Sequence, residues 1–501
     1  MDNMLQYEKD TVGDILGLPA NDQSPEVSLN DTADGVAAEY LGTDVDKQDM
    51  QTLGRKQVLR RNFRFISMLS FNSVLISTWE VLLGQFVFNL TNGGLAGFFV
   101  SFIAIDVYQR PHGWLCAMSW QSSVIGIGFI AGTNIQGLIV LNNPDYVFER
   151  WHGTLLTIAI SAFCIIFNVT LAKHLPLVET LLCVLHVVGL LAVIIPLWVL
   201  APRNDTNVAF LQIQNNGDWP TVGLSFMIGL FATLGSMMGF DCAVHMAEEI
   251  RDASSTLPKS IMSAFTVNAV LGFMMVITLC FTVSNTPSLL DTATGYPYIQ
   301  LFYNVTKNNI GATIMAAIVI INLTTCTISE TATASRQIWA FSRDNGLPFS
   351  KFLSRVAPGS NIPFNAIMVS FMLSALFSLI NIGSTEALNA IASLAISSLV
   401  TSYFVVVASI LHRRVTGGTL PPRRWSLGRW GVVTNVAALI FLFVMLMFTF
   451  FPQFKNPNIQ NFNWAIVLYV GVLSIAMVFY AVRGRHVYIP PIAITKREFQ
   501  Q

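Results

Sequence analysis

The sequence is poor in charge: 11% of its 501 residues are Asp, Glu, Lys or Arg, against about 25% in soluble domains. Acidic and basic residues balance at 28 each, so the net charge indicates no nucleic-acid partner. The six cysteines include no CxxC pair, which argues against a disulfide framework or a zinc site, and we expect neither a metal nor a cofactor. No Walker A, GxSxG, HExxH or Rossmann glycine motif occurs, so we expect no enzyme and no ATP-driven pump.

The amino-terminal region also lacks an apolar stretch followed by a cleavage site, so we expect no removable signal peptide. Its polar, mildly acidic composition predicts a disordered cytosolic tail over 1–54. The apolar pattern predicts a transmembrane domain over 55–486 and a second cytosolic tail over 487–501.

Apolar residues dominate the rest of the chain: 53% of all residues are hydrophobic, and the mean hydropathy is +0.58. Most apolar segments are about 20 residues long, the length that a helix needs to cross about 30 Å of hydrocarbon. Because lipid cannot satisfy an open backbone, we expect an all-α polytopic membrane protein. The twelve predicted segments run over 65–89, 93–107, 113–141, 152–172, 176–200, 222–247, 260–284, 309–336, 363–382, 386–411, 430–452 and 463–482.

Basic residues alternate between the two sides of the predicted bundle. With the cluster in 55–64 placed inside, 22 Lys and Arg fall on the inner side and 4 on the outer side. The positive-inside rule therefore predicts that both termini are cytosolic. Two glycosylation sequons, at Asn204 and Asn304, fall in predicted outer loops.

Segment 2 is unusually short. It has 13 residues from Gly93 to Ile105 before Asp106 interrupts it. As a helix these residues span roughly 20 Å of the about 30 Å required. The charge alternation requires this segment to cross the membrane, whereas its length barely allows it.

Ionisable side chains inside a membrane are costly, which makes each of them a functional candidate. Segment 1 contains Glu80 at the end of the run Ser77-Thr78-Trp79-Glu80. Helical spacing places Ser77 and Glu80 on one face, where hydroxyl groups can also satisfy backbone groups freed by a local break. The alternative is a glutamate that packs against a neighbouring helix for stability.

Segment 6 combines glycines with ionisable residues. Gly235 and Gly239 favour a break at mid-membrane, where helix ends and backbone carbonyls can face a solute. Asp241, His245 and Glu248 share one helical face. A carboxylate four residues from an imidazole can hold a proton or a cation. Alternatively, Glu248 marks the cytosolic end of the helix.

Two further segments carry polar residues. In segment 5, Glu179 and His186 share a face, and we favour a structural role for both. Segment 8 has a polar face that either lines a cavity or joins helices. Its members are Asn322, Thr325, Ser329, Thr333 and Arg336, with Glu330 beside them.

Long motifs resemble the fungal amino acid/choline permeases of the amino acid–polyamine–organocation superfamily, over roughly residues 60–490. The run GFDCAVHMAEEIRDASSTLPKSI around 240–260 is similar to their sixth helix. The other similar stretches are STWEVLLGQFVFNLTNGG (77–94), HGWLCAMSWQ (112–121), VLNNPDYVFERWHGTLL (140–156), PLWVLAPR (196–203) and TATASRQIWAFSRDNGLPFS (331–350).

The resemblance implies an inverted repeat of five plus five helices with two trailing helices, in which helices 1 and 6 unwind at the midplane to hold the substrate. It implies alternating-access transport of a small amine or amino acid such as GABA, choline or a polyamine, with a proton, across the plasma or vacuolar membrane. Trp79 and Phe240 would offer π surfaces to an ammonium group. The implied substrate-binding residues are Ser77, Thr78, Trp79, Glu80, Gly235, Gly239, Phe240 and Asp241; we assign coupling or gating to His245, Glu248 and Arg336.

The chain departs from this family pattern after helix 2. Ile105 is joined to Gly113 by seven residues, where the family has the inner half of helix 2, a loop and the start of helix 3. The inner half of helix 2 is therefore expected to be truncated. A transport-deficient relative or a nutrient sensor remains the alternative to a working transporter.

Overall fold

The computed structural model describes residues 36–96, 113–284, 286–357, 361–417, 424, 426–428, 430–458 and 462–488. Within these residues, ten helices are long and apolar enough to cross a membrane. Each of them coincides with one predicted segment, so the prediction of an all-α polytopic membrane protein is confirmed.

The helices up to residue 200 are α1 (Asp44–Thr52), α2 (Phe65–Ile76), α3 (Thr78–Gly84), α4 (Phe86–Thr91), α5 (Gly113–Asn142), α6 (Arg150–Thr170) and α7 (Leu175–Leu200). The following helices are α8 (Thr206–Phe210), α9 (Val222–Ser236), α10 (Cys242–His245), α11 (Ala253–Thr282), α12 (Thr286–Leu290), α13 (Pro297–Thr306), α14 (Asn309–Arg343), α15 (Ser350–Leu353), α16 (Phe364–Ser378), α17 (Ile380–Gly383) and α18 (Thr385–Val415). The chain ends with α19 (Trp430–Thr449), α20 (Ala465–Phe479) and α21 (Arg485–Val487).

Two of the twelve predicted segments are not among these ten helices of the described residues. Segment 6 is divided into α9 and α10, as its glycines predict. Most of segment 2 lies in 97–112, outside the described residues. The truncation of helix 2 therefore stays a prediction.

The first and sixth predicted segments are both interrupted near their middle. In the first, Ser77 adopts the left-handed region with φ +39° between α2 and α3. In the sixth segment, non-helical residues separate α9 from α10, and Gly239 has φ +104°. Matched interruptions in these two helices are what an inverted-repeat transporter predicts.

Helix α5 is the central element of the bundle. It packs along α14 and α18, while α2 packs against α7 and α11. By contrast, α7 and α20 present apolar side chains outward: only 33% and 11% of their most apolar stretches are buried. A soluble protein rarely exposes such surface, so these helices face lipid.

A pair of two-residue strands closes one end of the bundle. Strand β1 (Asn92–Gly93) pairs antiparallel with β2 (Gln214–Asn215), which ties the end of α4 to the loop before α9. We call the opposite end, where α2 begins, the N face. The end with the two strands is the far face.

The expectation of a disordered tail over 1–54 does not hold for residues 44–52, which form α1. Thr43 caps this helix: its side chain accepts from the backbone N–H of Asp46, and Asp46 accepts from the backbone N–H of Thr43 in return. Residues 1–35 lie outside the described part of the chain. The segment nearest the membrane is therefore structured.

Candidate functional site

Side chains from neighbouring helices satisfy the backbone groups exposed at the helix-1 break. Asn268 on α11 donates to the carbonyl of Ser73 at 3.3 Å, and the thiol of Cys326 on α14 donates to the carbonyl of Leu75 at 3.0 Å. The Ser77 hydroxyl donates to the carbonyl of Val74, one turn earlier, at 2.5 Å. Because buried carbonyls require partners, these contacts allow the break to persist inside the bundle.

The helix-6 break depends on glycine. At Gly239 the backbone lies in a region that L side chains rarely adopt, and an added Cβ would lie 3.1 Å from Leu75 and 3.5 Å from Trp120. At Gly235 an added Cβ would meet Ile396 at 2.8 Å. Both glycines therefore allow close approach of helix 6 to its neighbours.

A cavity of about 50 Å³ lies between the two breaks. It is mostly apolar, and its polar lining includes one carboxylate and two serine hydroxyls. The lining residues are Leu75, Ile76, Val81, Ser119, Trp120, Ser123, Ile127, Gly235, Met238, Gly239, Cys326, Glu330, Ala395, Ile396 and Leu399. We call this space the central cavity.

Glu330 is the carboxylate of the central cavity. Its side chain is buried, and Oε1 accepts a hydrogen bond from Ser123 Oγ at 2.6 Å. Its Oε2 has no hydrogen-bond partner among the described residues. A buried carboxylate oxygen without a donor gains from a bound ammonium group or a proton.

Asp241 joins three helices just beside the central cavity. Oδ1 accepts from the hydroxyl of Tyr403 at 2.6 Å, and Oδ2 accepts from Trp120 Nε1 at 3.2 Å. Nε2 of His245 lies 3.0 Å from the same Oδ2. Because Trp120 also borders the central cavity, Asp241 is in contact with the cavity wall rather than with its interior.

Glu80, the ionisable residue of segment 1, is not part of the lining of the central cavity. Its Oε1 lies 2.6 Å from His186 Nδ1 on α7, while Oε2 has no partner among the described residues. The indole of Trp79 donates to the His186 carbonyl at 3.3 Å. The structure therefore joins His186, for which sequence favoured a structural role, to a predicted site residue.

Glu179 on α7 is another buried carboxylate. It accepts from Ser329 Oγ at 2.8 Å, and its Oε2 has no partner in the described part of the chain. Glu80, Glu179 and Glu330 thus each have one oxygen bonded and one oxygen available.

Several predicted site residues lie outside the central cavity. Phe240 packs edge-on against Phe265 at a centroid distance of 5.0 Å, and the backbone N–H of Thr78 donates to Asn268 at 3.4 Å. The aromatic side chain that lines the cavity is Trp120, which the sequence did not single out. A signal was present, since Trp120 lies between Ser119 and Ser123 in an apolar segment.

Ion pairs close the N face. Arg336 donates to Glu249 at 2.7 Å, and Arg343 donates to Glu248 at 2.6 Å. Glu248 and Glu249 follow α10 directly, so both pairs connect helix 6 to α14. The sequence placed Glu248 on the same helical face as Asp241 and His245. In the structure Glu248 accepts from Arg343 instead.

The amino-terminal segment adds to this closure. Arg61 is buried, pairs with Asp46 at 3.1 Å and also donates to the backbone carbonyl of Ile250. Burial alone would raise the pKa of Asp46, but backbone N–H donors from Asp252, Thr43 and Ala253 outweigh it and hold the pKa below its usual value. Asp46 therefore stays ionised beside Arg61.

A larger cavity of about 420 Å³ opens toward the far face. Val81 in α3 borders the central cavity, whereas Gly84 at the end of α3 and Gln85 after it border the larger cavity. The two cavities therefore follow one another along this helix. Polar groups of the larger cavity include Thr133, Gln136, Arg150, Tyr296, Asn381 and Gln453.

The two sequons differ in the state of their asparagines. The amide nitrogen of Asn204 donates to the carbonyls of Cys280 at 2.9 Å and Val283 at 2.6 Å. Asn304 lies within α13 and accepts from Gln300 at 2.9 Å through its carbonyl oxygen. Glycosylation at both positions stays a prediction, and Asn304 has the more available nitrogen.

Comparisons with known proteins agree with this architecture. A family model described as amino acid permease matches residues 90–473. A choline transporter of Saccharomyces cerevisiae is 26% identical over 391 residues, which cover 76% of this chain and 68% of that protein. Amino-acid permease 2 of Neurospora crassa is 24% identical over 497 residues, which cover 91% of each chain.

A plant protein shows a similar extent of likeness: an amino-acid permease of Arabidopsis thaliana is 24% identical over 502 residues, covering 89% of this chain and 96% of that protein. The family model spans well over half of the 501 residues, and the resemblance noted in the sequence is confirmed at the level of the family. The chain belongs to the amino acid permease family and is an integral, multi-pass membrane protein.

Proposed function

We propose that this permease is a secondary active transporter of a small amine or amino acid that carries an ammonium group. The observation that carries the proposal is the central cavity between the two helix breaks, with Glu330 as its carboxylate. Relatives named as a choline transporter and as amino-acid permeases support this class of substrate.

Recognition of the substrate would combine charge with a π surface. The Glu330 oxygen that has no partner among the described residues provides a charge-assisted hydrogen bond or an ion pair to an ammonium group. The indole of Trp120 borders the same space and offers a cation–π contact. We therefore assign to Glu330 and Trp120 the role that the family resemblance suggested for Glu80, Trp79 and Phe240.

We assign proton coupling to the buried carboxylates. Glu80 and His186 share a close contact in which one proton can be held between two basic atoms. Glu179 is bonded only to a hydroxyl, so it can accept a proton on its open oxygen. A substrate cation beside Glu330 would change the electrostatic potential at these sites, which links binding to protonation.

The two ends of the bundle fit one state of an alternating-access cycle. The N face is closed by ion pairs, whereas the far face leads into the larger cavity. If the N face is cytosolic, as the Lys and Arg distribution predicts, this is an outward-facing state in the plasma membrane. Transport would then require separation of Glu248 and Glu249 from Arg343 and Arg336.

Uptake of radiolabelled choline, GABA, a polyamine and a neutral amino acid in a permease-deficient cell tests the proposal. We expect uptake of one amine, and we expect a protonophore to abolish it. Glu330→Gln should lower the uptake rate by about tenfold or more, since removal of one buried charge partner costs on the order of 2–5 kcal/mol. Glu39→Gln changes an exposed glutamate outside the membrane segments and is the matched control.

Two outcomes would contradict parts of this assignment. Uptake unchanged by Glu330→Gln would remove the carboxylate from the substrate site, and uptake indifferent to the protonophore would remove the coupling. Ligand-dependent thermal stabilisation without any flux would instead favour the nutrient sensor, for which the short link from Ile105 to Gly113 is the sequence observation.

A further inference from the structure

Three different metal-ligating side chains meet beneath the central cavity. Cys116 lies in the first turn of α5, and Asp241 and His245 stand at the two ends of α10. One donor atom from each lies within 4.8 Å of the others. The distances are 3.3 Å from Cys116 Sγ to His245 Nε2, 3.0 Å from that nitrogen to Asp241 Oδ2, and 3.9 Å from Sγ to Oδ2.

These distances match the edges of a tetrahedral coordination shell. Bond lengths of about 2.0–2.3 Å from Zn²⁺ to sulfur, nitrogen and oxygen place neighbouring ligands about 3.3–3.6 Å apart. Each observed separation is within about 0.4 Å of that range, a difference that small side-chain rotations close.

The donor set selects the kind of ion. A thiolate, an imidazole and a carboxylate suit Zn²⁺ and other borderline divalent ions, whereas Mg²⁺ and Ca²⁺ prefer oxygen ligands alone. Asp241 is also held from outside the cluster by the Tyr403 hydroxyl at 2.6 Å and by Trp120 Nε1 at 3.2 Å. Such outer contacts orient ligands in metal sites.

We propose that Cys116, Asp241 and His245 form a Zn²⁺ site that fastens α5 to α10, the second half of the broken helix 6. Binding converts the Cys116 thiol to a thiolate and releases its proton to solvent, while a fourth ligand position is left for water. Because alternating access requires helix 6 to move relative to its neighbours, the bound ion holds the N face closed and inhibits transport. Binding is independent of the proposed function, and only the inhibition rests on it.

The sequence alone argued against a zinc site because it contains no closely spaced ligand pair of cysteines. Here Cys116 is 125 positions from Asp241, and the fold brings them together. Only Asp241 and His245 show a local pattern, with the four-residue spacing that one helical turn allows.

Binding can be measured on the purified full chain in detergent with Cd²⁺, whose bond to a thiolate produces an absorption band. We expect the band to saturate at one ion per chain and to be displaced by Zn²⁺. Cys116→Ser should abolish the band. His245→Gln should weaken binding by at least about tenfold, since loss of even an outer-shell partner costs about 10–100-fold.

Cys183→Ser is the matched control, because Cys183 is a half-buried thiol on α7 outside the cluster. This variant should keep the band. Equal bands in wild type and Cys116→Ser, with both proteins monodisperse and melting at the same temperature, would overturn the site. Absence of saturable binding to folded wild-type protein would do the same.

Transport in vesicles tests the effect of the ion. Micromolar Zn²⁺ should inhibit uptake by wild type and by Cys183→Ser, and Cys116→Ser should take up substrate at the wild-type rate with and without Zn²⁺. Zn²⁺ binding without inhibition of uptake would contradict the fastening of α5 to α10, while the site itself would stand.

Discussion

Glu80, Glu179 and Glu330 show how the surroundings of a buried carboxylate set what it can do. Glu80 lies beside an imidazole, whereas within the described part of the chain the other two are bonded only to serine hydroxyls. An ionised carboxylate deep in a membrane protein needs a cation or several donors, and a hydroxyl alone is a weak substitute. Glu179 and Glu330 therefore depend on a proton or a bound cation, while Glu80 has a permanent partner in His186.

Glu80→Gln separates proton coupling from substrate binding. The amide keeps the shape of the side chain but cannot take up a proton, so accumulation driven by a pH gradient should be lost. A gradient of about one pH unit supports about tenfold accumulation in a one-proton symport, and this factor should disappear. Counterflow exchange in vesicles, which needs no gradient, should persist; loss of both activities would show that Glu80 acts on binding or folding instead.

At the scale of elements, the two broken helices do most to define the site. Each break requires an unusual backbone position and neighbours that fit it. Beside Ser77, the carbonyls of Ser73 and Leu75 accept from Asn268 on α11 and Cys326 on α14, and Gly239 lies against Leu75 and Trp120. Because Leu75 is part of the helix-1 break, the two breaks contact one another directly. A change at one of them is therefore transmitted to the other.

Gly239→Ala should destabilise the protein by about 1–3 kcal/mol, the usual range for a residue held in a sparsely populated backbone region. It should also lower uptake, since the added methyl group approaches Leu75 at the cavity wall. Gly223→Ala is the matched control: it lies in α9 with open space around it and should be neutral or stabilising by up to about 1 kcal/mol. Thermal melting in detergent measures both; equal shifts would contradict the argument.

Sequence periodicity predicted the elements better than it predicted their neighbours. Gly235 and Gly239 correctly marked the helix-6 break: α9 ends just after Gly235, and Gly239 adopts a positive φ that other residues rarely adopt. The sequence placed Ser77 and Glu80 on one helical face, whereas Ser77 adopts the left-handed region and separates α2 from α3, and Glu80 contacts His186 on α7. Glu330 and Trp120 required the tertiary structure, because a polar face in one helix does not indicate which helix it contacts.

At the scale of the whole molecule, the two faces differ in how they are closed. The N face holds buried or half-buried ion pairs and the helix α1, whereas the far face holds the larger cavity. Asp46 is central to this difference: it pairs with Arg61 and accepts from the backbone N–H groups of Asp252 and Ala253 at the start of α11. The segment that precedes the first transmembrane helix thereby stabilises the closed N face.

Asp46→Ala should destabilise the protein by about 3–5 kcal/mol, because it leaves Arg61 buried without its carboxylate partner. Since the pKa of Asp46 lies below its usual value, this contribution is present at neutral pH and is lost only in acid, as the pH falls through the folded-state pKa. Asp44→Ala is the control, since Asp44 is fully exposed in the same helix. Melting temperatures at neutral pH should fall for Asp46→Ala alone; similar values for both variants would exclude the pairing as a stabilising contact.

The small volume of the central cavity also bears on selectivity. A space of about 50 Å³ holds roughly three or four water molecules at about 10–15 Å³ each, which is less than an organic amine requires. A substrate held wholly within the central cavity must therefore widen the gap between the breaks, and each additional methylene must displace more protein before it contacts the cavity wall. The permease would then rank chemically similar solutes by the work of expansion, and a homologous series of amines should lose affinity with chain length even though the walls are apolar.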